Sequence, residues 1–414
     1  MPVKKSVSVA SGWLAMLVLL ALTACGTTPP APSSADASAP AGGSGPSSSA
    51  SSATPSPAPV VMSPNVKDGA SKVAVDTTVK VKATEGTLTS VKVSYAGTDA
   101  KGQKISGKLS GKLSSDGSTW TADDRLEPSS TYTIALTGKN ASDAGRTKQT
   151  TTFSTQKLTL AQQTYPTLYP LKGSTVGVGM PVVLTFDVPV KKKDEFEKHL
   201  RVTSSPKQAG SWHWLSDTEV RYRPKNYWKP GTKVSVSADV NGLGAGGGIY
   251  GQNSTSTSFT VGRSMIIKVN LATDVARVYR NGKAVRTIYV SGGKPGWETR
   301  SGTKLIMAKE WNKTMTNEMI GAKEDYRLTS AYALRITNSG EFLHSAPWNA
   351  AYFGRRNASH GCVGMSNGDA GWLIENTLIG DPVETTGTGR RMELGNGWGD
   401  WNLSFSQYQK GSAL

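Results

Sequence analysis

Past a Ser/Ala/Pro-rich start, the apolar side chains keep the two-residue period of a β-strand. Val73, Val75, Val79 and Val81, then Val91, Val93 and Tyr95, alternate with polar residues. That is the pattern of strands with one face in a core and the other in water. Gly, Asp and Ser punctuate the gaps, as at Asp116-Gly117-Ser118, which marks tight turns. The pattern also repeats. Leu126-Glu127-Pro128 precedes Tyr132, Ile134 and Leu136 in alternation, then Thr152-Phe153. Trp228-Lys229-Pro230 precedes Val234, Val236 and Ala238, then Ser258-Phe259. A tryptophan lies shortly upstream of each block, Trp120 and Trp214.

A repeat of about 100 residues has the size of one β-sandwich. The expected fold is mainly β, with two tandem immunoglobulin-like sandwiches over residues 61–156 and 157–262. A single merged β-domain is the competing arrangement. From Arg263 the texture changes but stays β-rich: Met265 to Val269 and Ala276 to Tyr279 read as strands. Asn281-Gly282 supplies the two-residue turn that joins a hairpin. One helix is expected from Asn367 to Leu378, capped by Ser366 or Asn367.

The first residues read as an address. Lys4 and Lys5 precede an apolar run, Trp13 to Ala24. Its twelve residues fall short of the ~20 that span a bilayer but suit a signal-peptide core. The run closes on Leu22-Thr23-Ala24-Cys25, which resembles a bacterial lipobox. Residues 1–24 are therefore expected to be a lipoprotein signal peptide and Cys25 the lipidated residue. Residues 25–60, rich in Ser, Ala, Pro, Gly and Thr, lack the apolar surface to offset ordering entropy. They read as a tether with a reach of roughly 30 Å. The expected location is outside the cytoplasm, anchored to the membrane by lipid and reaching into the wall. The net charge of +17 is spread without a basic stripe interleaved with aromatics, which argues against nucleic acid as a partner. It fits an anionic envelope, or solubility alone. The run Lys191-Lys192-Lys193 reads as a solvated loop.

The chain holds two cysteines and four histidines. With Cys25 lipidated, Cys362 is the one free thiol. It sits in Ser359-His360-Gly361-Cys362, and His344 lies sixteen positions before His360. A thiol beside an imidazole can yield a thiolate nucleophile near neutral pH. The expected helix directly after Cys362 adds backbone N–H groups that could stabilise a thiolate and an oxyanion. Zinc is a poor match, since His-x15-His-x-Cys is not a usual ligand spacing, and no cofactor is implied. His199 and His213 read as structural or exposed.

These residues carry a family resemblance. Residues 263–388 resemble an L,D-transpeptidase catalytic domain of the YkuD type, whose pattern is a histidine, about fifteen residues, then Ser/Thr-His-Gly-Cys. Gly340 to Trp348 is similar to the strand before the histidine in actinobacterial members, and Gly399-Asp400-Trp401-Asn402 to their tail. Tandem immunoglobulin-like domains ahead of the catalytic domain belong to the same subgroup. The resemblance implies a β-rich catalytic domain with one or two short helices, and a 389–414 extension packed on it. Cys362 would be the nucleophile, and His344 its base, held by the Ser345 carbonyl. His360 would line the site. Tyr326, eighteen residues before His344, and the N–H groups of Gly361 and Cys362 would stabilise the oxyanion. Trp348, Met315 and Ser359 would contact substrate. Relatives usually carry Asn or Arg where this chain has Gly364, and Asn367 or Ser366 is expected to supply the missing hydrogen bond. Arg355 and Arg356 are either a loop for stem carboxylates or solvated charge.

The implied reaction is acyl transfer on peptidoglycan stem peptides through a cysteine thioester, giving 3→3 cross-links from tetrapeptide donors. Carbapenem-type β-lactams would be covalent inhibitors. The alternatives are an L,D-carboxypeptidase or other envelope cysteine amidase, or a non-catalytic wall-binding lipoprotein. A papain-like plan is disfavoured because there the cysteine precedes the histidine.

Overall fold

Strand pairing accounts for most of the chain. The computed structural model describes residues 58–143 and 145–414. The expected signal peptide, Cys25 and nearly all of the tether lie outside the described residues. The first sandwich faces a sheet of Val61–Pro64, Lys80–Thr84, Thr119–Ala122 and Gly111–Leu113 against one of Lys104–Leu109, Gly86–Thr98, Ser130–Asn140 and Arg146–Ser154. Trp120, Leu126, Tyr132, Ile134 and Phe153 fill the space between. Tyr95, Tyr132 and Phe153 stack with ring centroids 5.1 Å apart. Val73 and Val75 differ from expectation. Val73 makes only an isolated bridge to Thr155, and Val75 is buried from a loop. Their alternation lies in a loop, where Val73 packs against the core and Val75 is buried without strand pairing.

The second sandwich pairs Pro166–Tyr169, Val182–Phe186, Glu219–Pro224 and Gly210–Trp214 in one sheet. Thr175–Val176, Thr255–Val261, Lys233–Ala238 and Leu200–Ser205 form the other. Its core, including Trp214, Trp228 and Phe259, is distinct from that of the first. The two sandwiches thus bury separate sets of apolar side chains. The lysine run leads into a short helix, α1 (Lys193–Lys198), and Lys191 and Lys193 both pair with Asp217.

The remaining strands build the part that carries the thiol. One antiparallel run is β1 (Met265–Asn270), β2 (Val275–Arg280) and β3 (Lys283–Tyr289). Asn281 and Gly282 join β2 to β3 with φ of 48° and 80°, the double positive φ of a type I′ turn. Next come β4 (Gly302–Leu305), β5 (Ala308–Thr316), β6 (Arg327–Arg335), β7 (Phe342–Ser345), β8 (Val363–Met365), helix α2 (Asn367–Asn376) and β9 (Pro382–Thr386). The sheets run β3-β2-β1-β9-β4 and β5-β6-β7-β8. Ile267, Val278, Ile306, Leu343 and Val363 lie in one core beneath α2, which contributes Ala370, Leu373 and Ile374. Ser366 is the cap of α2 and accepts the Asp369 N–H. The helix ends at Asn376, before Leu378, because Thr377 is extended and turns its hydroxyl back to the Leu373 carbonyl at 2.6 Å.

The C-terminal extension corrects one expectation. It does not pack on the catalytic strands alone but crosses to the second sandwich. On one side Asn402 donates to the Thr303 carbonyl (2.7 Å) and accepts its N–H (2.8 Å). On the other, Trp401 donates to the Gly179 carbonyl at 2.7 Å. Arg223 donates to the Leu403 carbonyl at 2.9 Å. Helix α3 (Phe405–Gln409) sits beside Gly210–Trp214, and a ring nitrogen of His213 lies 2.7 Å from the Tyr408 carbonyl. At the centre, fully buried Asp400 accepts from Arg221 and from the Tyr408 hydroxyl, each at 3.0 Å. Removing one partner of a buried pair leaves a charge without compensation. Asp400→Ala should therefore lower the unfolding free energy by about 3 kcal/mol, at the low end because Glu219 still holds Arg221 at 2.7 Å. Urea unfolding followed by tryptophan fluorescence measures this.

Candidate active site

The short parallel pairing of β7 with β8 assembles the site. Its register sets Leu343 opposite Val363, His344 opposite Gly364 and Ser345 opposite Met365. Cys362 therefore ends the turn that feeds β8, two residues before Gly364, the strand partner of His344. The turn is closed by Ser359, whose hydroxyl accepts the Gly361 N–H (3.1 Å) and donates to the Cys362 carbonyl (2.6 Å). Gly361 takes φ +117°, a conformation that L side chains rarely adopt. Ser359 N–H and Gly364 N–H bond to the Gly292 and Ser291 carbonyls, both at 2.9 Å, and so suture the turn to the segment after β3.

The Cys362 thiol donates to the Gly340 carbonyl at 3.5 Å. Dense surroundings push its pKa up to about 12; the Phe342 N–H works against this, as do Lys304 and Arg335, while Glu341 reinforces it. His344 is buried, which lowers its pKa to about 4 against a smaller upward effect of its bond to Ser345. Its Nδ1 lies 3.0 Å from the Ser345 carbonyl. A carbonyl only accepts, so Nδ1 carries the proton and Nε2 is free to act as a base. Ser330 holds that carbonyl with a second bond at 2.9 Å, which fixes the ring in turn. Both directions favour a thiol beside a neutral imidazole at rest.

A cavity of about 390 Å³ opens above the sulfur, a size suited to a peptide segment. The structure brings His344, His360, Cys362, Ser359, Tyr326, Trp348 and Met315 to its lining. His360 is at the rim, its Nε2 2.6 Å from Glu324 and its ring stacked on Tyr326 at 5.2 Å. Trp297 meets the same ring edge-on. Trp348 lies 6.0 Å from the His344 ring. Ser345 acts from behind, through its carbonyl.

Other expectations need correction. The Gly361 N–H is spent on Ser359, so Gly361 supplies backbone conformation, and the Cys362 N–H is the donor the turn leaves available. Asn367 does not reach the cavity; it is exposed in the first turn of α2. Ser366 is occupied with the N–H and carboxylate of Asp369. Neither replaces a polar side chain at 364. A Cβ at Gly364 would lie 3.0 Å from the Ala346 Cβ and 3.8 Å from His344 Nε2, so glycine leaves room beside the base. Arg355 and Arg356 lie outside the cavity lining, and Arg356 stacks on Tyr352.

Sequence reasoning missed Arg335, which lines the cavity and covers the Phe342 ring at 4.5 Å. It also missed Glu324 at the rim and the charged residues behind the turn. An isolated charge carries no periodic signal, and only the strand order brings these groups to the thiol. Among the described residues, no three His, Cys, Asp or Glu side chains converge as a metal site would require.

Comparison with known proteins identifies the family. The model of the L,D-transpeptidase catalytic domain matches residues 264–385, and that of a bacterial Ig domain matches residues 70–244. L,D-transpeptidase 2 of Mycobacterium tuberculosis is 33% identical over 357 residues, 85% of this chain and 85% of that protein. The chain belongs to the L,D-transpeptidase family. It is an enzyme of peptidoglycan, with its catalytic domain behind immunoglobulin-like sandwiches. L,D-transpeptidase 1 of the same species is 34% identical over 222 residues, 53% of this chain and 83% of that one. A solved L,D-transpeptidase in complex with imipenem is 33% identical, covers 53% of this chain and 97% of its own, and has a TM-score of 0.47.

A base held neutral by burial stays competent well below the usual histidine range. Protonation of His344 should shut the transpeptidase down only near pH 4, not near ~6.5. The acid limb of kcat/KM reports the base of the free enzyme, and an acid limb near pH 6.5 would contradict this assignment.

Proposed function

We propose that this L,D-transpeptidase forms 3→3 cross-links from tetrapeptide donors through a thioester on Cys362. The observation that carries this is a free thiol and an imidazole with a fixed tautomer on one cavity wall. His344 Nε2 takes the thiol proton as the sulfur attacks the carbonyl between the penultimate and terminal stem residues. Neither group is charged at rest, so proton transfer accompanies the attack. The Cys362 N–H and the Tyr326 hydroxyl face the developing oxyanion. Imidazolium returns the proton to the leaving amine, and the terminal D-amino acid departs. The acceptor amine then attacks the thioester, yields its proton to His344, and releases the sulfur, which takes that proton back.

Incubation with purified tetrapeptide muropeptides tests this. Wild-type protein should give dimers by mass spectrometry, and Cys362→Ala none. Loss of the terminal residue without dimers would favour a carboxypeptidase. Tyr326→Phe should lower the acylation rate by about 10²-fold and leave binding nearly unchanged.

Carbapenem acylation of Cys362 follows from the same nucleophile and from the family resemblance. The adduct mass should disappear in Cys362→Ala. Lipid anchorage through Cys25 is supported by the apolar run that ends at Leu22-Thr23-Ala24-Cys25. In cells, Cys25→Ser should move the protein from the membrane fraction to the soluble fraction.

A further inference from the structure

Three charged side chains lie buried directly behind the nucleophile, and the reaction as derived uses none of them. Lys304 on β4 is 0% exposed, Glu341 before β7 is 3% exposed and Arg300 is 8% exposed. One Glu341 oxygen accepts from the Arg300 guanidinium (2.9 Å) and the Arg300 N–H (3.1 Å). The other accepts from Lys304 Nζ at 2.9 Å, which also donates to the Arg300 carbonyl at 2.6 Å. The network extends outward, since Arg300 Nε donates to Glu393 of the C-terminal extension at 2.6 Å.

Burial of such groups is costly, so their place in the fold matters. Glu341 lies between Gly340, whose carbonyl accepts the thiol, and Phe342, whose N–H faces the sulfur. Its carboxylate also backs the turn: a Cβ on Gly361 would lie 3.8 Å from Glu341 Oε1 and 3.6 Å from the Trp297 carbonyl. Arg300 and Lys304 thus tie together two segments that touch the Gly361–Cys362 backbone from behind.

We propose that the buried Arg300–Glu341–Lys304 triad is the positioning element of the nucleophile. It clamps the backbone on which Gly361 and Cys362 rest, and its opposed charges set how readily the thiol ionises. Glu341 resists a negative sulfur and Lys304 favours one, the directions in which each acts on Cys362. The other groups around the thiol act from different sides. Arg335 on β6 is paired with Glu310. Tyr326, His344 and His360 line the cavity, with Glu324 and Lys294 paired at its rim. The triad lies beneath the turn, outside the cavity lining.

This inference rests on Cys362 as the nucleophile, but its test needs no peptidoglycan. The full-length protein is alkylated with iodoacetamide between pH 7 and 10, and the Cys362 peptide is quantified by mass spectrometry. At pH 8, Glu341→Gln should be alkylated about tenfold faster than wild type and Lys304→Met about tenfold slower, the change in thiolate for one pH unit. Lys304→Arg, which keeps the charge, should stay within about threefold of wild type. A merely structural role would move both variants the same way or not at all, and either result overturns the proposal. Should one variant fail to fold, Lys304→Gln replaces Lys304→Met or Glu341→Leu replaces Glu341→Gln, so that both directions are read.

Discussion

The parallel pairing of β7 with β8 is the constraint on which the site depends. Three residues on each strand set His344 opposite Gly364 and leave Cys362 at the mouth of the turn. A shift of one residue would turn His344 to the opposite face of the sheet. The register is locked from both sides. Leu343, Val363 and Met365 are fully or almost fully buried in the core under α2. The segment after β3 takes hydrogen bonds from the turn at Ser359 and from Gly364. Parallel neighbours need a crossover between them, and the stretch from Ala346 to Cys362 is that crossover. This is why the histidine and the cysteine are separated by a long gap yet meet in space.

That gap is also why so much of the site was legible in the sequence. His344 and the Ser359–Cys362 turn stand out because few histidines and cysteines exist to compete with them. The hairpin at Asn281-Gly282 was legible because only certain residues tolerate two positive φ values in succession. Strand alternation gave the sandwiches, but failed at Val73 and Val75, where a loop buries apolar side chains without pairing. Lys304 and Glu341 were not legible for the opposite reason. A lysine in a strand normally marks the wet face, and nothing local signals that β4 turns this one inward. Asn367 read as a stand-in for the polar side chain missing at Gly364, yet the start of α2 carries it to the surface.

Electrostatics gives the site its character. Burial pushes the thiol pKa up and the imidazole pKa down, and both directions favour a neutral ground state. A thiol of this kind gains charge only as it attacks, so the oxyanion donors proposed, the Cys362 N–H and Tyr326, would act where they matter most. The C-terminal extension belongs to the same design. It ties the catalytic strands to the second sandwich through Asn402, Trp401 and Asp400. Through Glu393 and Arg300 it touches the charges behind the turn. The tail thus contacts both the second sandwich and the segment behind the Cys362 turn.

Trapping the acyl-enzyme tests the central claim most directly. The protein is mixed rapidly with a tetrapeptide stem in the absence of acceptor, quenched in acid and measured intact, and the adduct is then mapped by digestion. The account predicts one adduct, equal in mass to the stem acyl group without its terminal residue, on the peptide containing Cys362 and lost in Cys362→Ala. An adduct elsewhere, or turnover of the stem that persists in Cys362→Ala, would contradict it.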